Sequence, residues 1–220
     1  MAEKQANTLD ALAIATHAFD INACVVKQYD EEKLIPNVVY VRDYFGLSKE
    51  VTTPTVLISP DLLERAQAVK TWVEHNITMS LLKQGHVNDF QKLVAEIIAN
   101  ETVNVKHLGI LVWAPKLYHD QTARDSVREH VMQISYRSTW IGKEKERVDV
   151  DFTLLEKRFH SEYNSWTAFG HDQHNNLVRF MTKHEHLCAS HKITGKVKNY
   201  STERYHNNGK ITTLNFVKAI

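Results

Sequence analysis

The sequence predicts an α+β protein: a mainly helical N-terminal domain with a small irregular α+β start over residues 1–137, then a five-stranded antiparallel β-barrel over residues 138–220. Three observations carry this. Apolar residues recur at helical spacing from Leu62 to Ile134. After Glu146 the pattern changes to short alternating runs, each bounded by turn residues. The charge changes sign at the same place, from 14 Lys+Arg against 17 Asp+Glu up to Arg137 to 13 against 9 from Ser138 onward.

Composition narrows the class. A chain of 220 residues accommodates one large domain or two small ones. No apolar run approaches membrane-spanning length, and the start Met1-Ala2-Glu3-Lys4-Gln5 is no secretory signal, so the expected compartment is the cytoplasm. Cys24 and Cys188 lie in different halves and predict no disulfide framework. A net charge of +1 argues against a protein that coats DNA by charge alone.

In chain order, Thr8 is expected to cap a helix through Phe19. Ala23–Val26, Val38–Val41 and Thr55–Ile58 read as short strands, broken by Pro36, Gly46 and Pro54. Ser59-Pro60-Asp61 is a helix start, and Leu62, Ala66, Val69, Val73, Ile77 and Leu81 continue it to Gly85. Asn88 begins a second helix of this group. Asn104 begins a third, stopped by Ala114-Pro115, and Thr122 begins a fourth. Trp72 and Trp113 are expected as core anchors.

The barrel runs are Val148–Leu155, Glu162–Gly170, Leu177–Thr182, Lys192–Tyr200 and the stretch after Gly209, where Leu214 and Phe216 are expected to point inward. Lys183–Ser190 is a connector with a turn of helix. Five short strands in this rhythm predict a small closed barrel of the OB type.

Four segments carry a resemblance: Ser138-x-Trp140-Ile141-Gly142-x-x-x-Glu146-Arg147-Val148, Asp172-x-x-x-Asn176-Leu177-Val178-x-Phe180, Ile193-x-Gly195-Lys196-Val197-Lys198 and Gly209-Lys210-x-Thr212-x-Leu214. Together they resemble the C-terminal OB-like domain of phage-type proteins that bind nucleic acid. His107-Leu108-Gly109-Ile110 to Tyr118 is similar to the helical segment that precedes it. The resemblance covers about Val103 to Phe216. It implies a single-stranded nucleic-acid ligand, DNA before RNA. The expectation is an accessory protein of DNA replication, recombination or transcription in the host cytoplasm, whose N-terminal helices contact protein partners or themselves; no phosphate-cradling glycine loop, nucleophile elbow or HExxH is present, so no enzyme is expected. No cofactor is implied. The cysteine-rich zinc segments of many relatives are absent, so no zinc is carried over. Asn175 and Lys145 stand where the family has glycines.

Single strands are held by cations that follow the phosphates and aromatics on which bases stack. The expected phosphate contacts are Lys143, Lys145, Arg147, Arg158, Arg179, Lys183, Lys196, Lys198 and Arg204. The expected stacking residues are Tyr163, Trp166 and Tyr200. Phe169 is a further aromatic of the same strand as Trp166; alternation allows only one of the two outside, and the expectation is Trp166 outside and Phe169 inside.

Two other readings remain. A barrel of this type also serves as a protein-interaction module that captures a host or phage factor. Asp149 and Asp151 share a strand face as metal-dependent nuclease carboxylates do, but no further acids are spaced to complete such a site. The cluster His184-x-His186-x-Cys188-x-x-His191 has metal-ligating residue types without a known spacing, and no metal site is expected from it.

Overall fold

The computed structural model describes residues 5–29, 34–82, 88–203 and 208–220. The protein is α+β, with helices in the N-terminal part and a sheet in the C-terminal part. It forms two compact units, residues 1–122 and 123–220. Among the described residues no helix is long and apolar enough to cross a membrane.

The first unit is built around α1 (Thr8–Asn22). Ala11, Leu12, Ala13, Ile14, Ala15 and Ala18 are all fully buried, because small side chains let neighbouring helices approach from several sides. Asn7, not Thr8, caps this helix: its side chain accepts from the Asp10 amide at 3.0 Å. The strand expected at Val38–Val41 is instead part of α2 (Asn37–Tyr44), which buries Tyr40 and Val41 against the core. Burial on one helical face outweighs the β preference of adjacent valines. Ala23–Val26 and Thr55–Ile58 are irregular, so the expected β content is absent there.

The helix start at Ser59 is as expected. Ser59 accepts from the Leu62 amide at 3.2 Å, and α3 runs over Pro60–Leu82. Gly85, its expected end, lies outside the described residues. Asn88 caps α4 (Asp89–Ala99) through a reciprocal capping box with Gln91. Trp72 and Trp113 pack against the core, each edge-on to another aromatic ring. A short ladder joins β1 (Gln5–Asn7) to β2 (Thr102–Asn104).

The third and fourth expected helices are organised differently. A 3-10 turn at Val105–His107 leads into a single helical turn, α5 (Leu108–Leu111). Then α6 runs unbroken over Ala114–Ser135. Pro115 therefore opens a helix instead of stopping one, since the first turn needs no amide donor. The unit boundary falls within α6, after Thr122 and not after Arg137. The reason is that Val127, Val131 and Ile134 pack on the sheet of the second unit, against Leu155, Phe169, Leu177 and Ile211.

That sheet has six strands: β3 (Arg147–Asp151), β4 (Thr153–His160), β5 (Ser165–His171), β6 (Leu177–Thr182), β7 (Lys192–Glu203) and β8 (Gly209–Ala219). Their order is β3-β7-β8-β6-β5-β4, with β6 and β8 parallel and the other pairs antiparallel. The expectation of five strands in a closed ladder is corrected here: the first run breaks at Phe152 into β3 and β4, which stand at opposite ends of the order. Gly170 permits that break. A Cβ there would run into the Thr153 carbonyl and lie 2.7 Å from the Phe152 ring.

One face of the sheet holds Val150, Phe152, Ala168, Val178, Phe180, Ile193, Val197 and Leu214 with Leu187 and Cys188 from the connector. The other face holds Phe169, Leu177 and Ile211 under the end of α6.

Candidate functional site

The segment before β3 is fastened to the sheet by the residues that carry the family resemblance. Ser138 donates to the Lys210 carbonyl at 2.6 Å and accepts from the Leu177 amide at 2.9 Å. Asn176 accepts from both the amide and the hydroxyl of Thr139. Thr212 accepts from the Ile141 amide at 3.0 Å, and Asp172 holds the 172–176 turn by accepting from the amides of His174 and Asn176. Lys145 and Asn175, the two replaced glycines, have φ of 67° and 63°, so both keep the left-handed backbone a glycine would take. These motif residues therefore build the frame.

The frame presents two groups of aromatic and basic residues, Trp140, Tyr200 and Lys210 on one face of the β7–β8 ladder and Lys196 with Arg147 on the other. Trp140 is 47% exposed and its ring lies 5.3 Å from that of Tyr200, tilted by 36°. The Tyr200 hydroxyl donates to the Gly142 carbonyl at 2.7 Å, which fixes its ring. Lys210 Nζ stands 5.1 Å from the Trp140 ring centre. Further along β7 come Lys198 and Lys196, both exposed. Arg147 sits directly opposite Lys196 in the β3–β7 ladder. Lys145 joins them, its amide donating to the Val197 carbonyl at 2.9 Å. Lys143 is exposed in the same segment, as is Glu144 between it and Lys145; the Glu146 carboxylate accepts from the Lys143 amide.

The remaining expected residues are elsewhere. Arg158, Tyr163 and Trp166 belong to β4, β5 and the turn between them, at the other end of the sheet order, and Lys183 directly follows β6. Arg158, Tyr163 and Lys183 are exposed. The orientation of Trp166 and Phe169 is the reverse of the expectation. Ala168 and Gly170 must face Phe152, because only small residues fit there, and alternation then turns Trp166 to the same side. Trp166 packs on Phe159 with Lys157 over its ring, while Phe169 is turned out and buried by α6. Arg179 is engaged: it bridges to Glu203 at 2.5 Å and lies over the Phe169 ring. Arg204 lies outside the described residues.

Phe216 is also reversed, being 73% exposed where an inward position was expected. Sequence reasoning missed Trp140, Lys210 and Phe216 as surface groups. Trp140 was within the motif and was legible as an aromatic next to a glycine turn; Phe216 had no signal.

The acids and histidines do not assemble. Asp149 and Asp151 are exposed on β3, with Asp151 3.9 Å from Lys192. Cys188 points into the core, where burial pushes its thiol pKa up, and is thereby separated from the exposed His184 and His186. Among the described residues no three metal-ligating side chains are gathered into a cluster. Compared with protein-family models, curated proteins and solved structures, the chain matches none.

Proposed function

We propose that the second unit binds single-stranded nucleic acid, and that the protein is a non-enzymatic accessory factor of nucleic-acid metabolism. The observation that carries this is the exposed Trp140 ring, packed on Tyr200 with Lys210 beside it, together with the exposed cations Lys198, Lys196, Arg147 and Lys145 of the same unit. The unit combines an exposed aromatic ring with exposed cations, which is what a flexible polyanion with unstacked bases requires. A base stacks on Trp140, and Lys210 swings from the ring to a phosphate.

The strand order supports an OB-like reading of this unit. If β3 and β4 count as one bent strand, the order is that of a five-stranded Greek-key barrel whose first strand is shared by both ends. The parallel β6–β8 pair fits the same scheme. In this protein the end of α6 covers part of the outer face at β5 and β6, which favours β7 and the segment before β3 as the binding surface.

The test is a polarisation titration with labelled single-stranded DNA, single-stranded RNA and duplex DNA at two salt concentrations. Single strands are expected to bind best, with affinity falling as salt rises. Trp140→Ala is expected to weaken binding by about 1–3 kcal/mol, one stacked base. Arg147→Ala and Lys196→Ala are expected to flatten the salt dependence. Absence of salt-sensitive binding by the folded parent protein overturns the reading and leaves protein capture in the lead.

A further inference from the structure

We propose that Phe216 is a second base-stacking residue, placed beside a phosphate contact made by Arg147 and Lys196. This rests on the nucleic-acid reading above and adds to it a base-stacking ring next to the cations Arg147 and Lys196.

The geometry originates in a bulge. In the β7–β8 ladder Thr194 pairs with Lys218 and Lys196 with Asn215, so Phe216 and Val217 together face Gly195. Gly195 leaves room for only one of them. A Cβ on it would lie 3.1 Å from Val217, which packs into the core. Val217 takes the inward place, and Phe216 is thrown outward with φ of 53°.

Three features that each lower stability meet at this point. A phenylalanine in the left-handed region is strained. Its ring is 73% exposed, so it gains little from burial. Beside it Arg147 and Lys196 stand directly opposite each other, an arrangement in which like charges repel. Among the described residues no ion pair relieves either cation. The other charges of this strand face are Lys218, opposite Thr194, and the acids Asp149 and Asp151, the latter 3.9 Å from Lys192. A fold retains strain, an exposed ring and a repelling pair together where a ligand relieves them. A phosphate between Arg147 and Lys196 cancels the repulsion, and the adjacent base covers the Phe216 ring. A protein partner would be expected to meet these cations with carboxylates, which offer no planar face for the ring.

The experiment uses the full chain with Phe216→Asn and Phe216→Trp. Asparagine tolerates the left-handed backbone, so Phe216→Asn is expected to raise the thermal midpoint while weakening binding about tenfold for oligothymidylate of about 12 nucleotides. Phe216→Trp is expected to keep the parent's affinity, with its indole fluorescence quenched on addition of the strand. If the parent binds and Phe216→Asn binds equally well, the second platform is overturned while the nucleic-acid reading stands. A Phe216→Asn protein that is less stable than the parent also overturns it, because the ring would then be structural. A parent that binds no single strand overturns both.

Discussion

At the scale of single residues, the first unit is held at a critical point by Asp43. One of its carboxylate oxygens accepts from the amides of Thr52 and Thr53 at 2.8 and 2.9 Å and from the Thr53 hydroxyl at 3.0 Å. Burial alone would raise the carboxyl pKa, but the hydrogen bonds from Ser48, Thr52 and Thr53 outweigh it and hold the pKa below its ordinary value. A depressed folded-state pKa stabilises the fold above the ordinary carboxylate pKa, and this contribution is lost as pH falls through the lower folded value. Asp43→Asn is therefore expected to lower stability by about 2 kcal/mol at neutral pH. The difference from the parent is expected to shrink below about pH 4, where unfolded carboxylates protonate. Urea unfolding of both proteins at neutral and acid pH measures this; a pH-independent difference would contradict the charge-based account.

At the scale of elements, the break between β3 and β4 depends on Gly170. Gly170→Ala is expected to cost at least about 3 kcal/mol, since the new methyl meets fixed backbone and a packed ring rather than a flexible side chain. Thermal unfolding by circular dichroism reads it. The strands of the second unit and the caps at Ser59 and Asn88 were legible in the sequence because alternation and capping act locally, whereas the three strands expected before Ser59 are not formed. What was illegible in the second unit shares one cause. Register shifts occur beside Leu155, Lys198 and Phe216, and each moves the phase of the side chains that follow. A bulge whose left-handed residue is Phe216 and not glycine leaves no mark in the sequence. The same limit applied to the site. Cations on β7 were readable, whereas the pairing of Trp140 with Tyr200 depends on residues sixty positions apart meeting across the fold. The motif that suggested the barrel consists of residues that fasten it, such as Ser138 and Asn176, so it reported on frame more than on ligand.

At the scale of the whole molecule, the end of α6 belongs with the sheet. Val131 is fully buried and Ile134 nearly so, both over Phe169, Leu177 and Ile211. A fragment of residues 123–220 is expected to unfold cooperatively. A fragment beginning at Ser138 is expected to be weaker by roughly 3–5 kcal/mol, two buried aliphatic side chains at about 1.5–3 kcal/mol each. It is also expected to bind a hydrophobic dye through the uncovered face. Equal denaturation midpoints for the two fragments would show that α6 contributes nothing to the sheet.

The strand order also dictates a timetable. The β4–β5 ladder joins residues close in sequence, whereas β3 must wait for β7, which the chain supplies only after β5, β6 and the connector. Loop closure over such a distance is slow, so the hairpin belongs to the nucleus and β3 docks late. Ala168→Gly in β5 is expected mainly to slow refolding, and Val150→Ala in β3 mainly to hasten unfolding, in stopped-flow chevron plots. Until β3 docks, the partly folded chain leaves the β7 edge unpaired. That makes this interval, and not the native state, the period in which the protein is most open to association with another copy of itself.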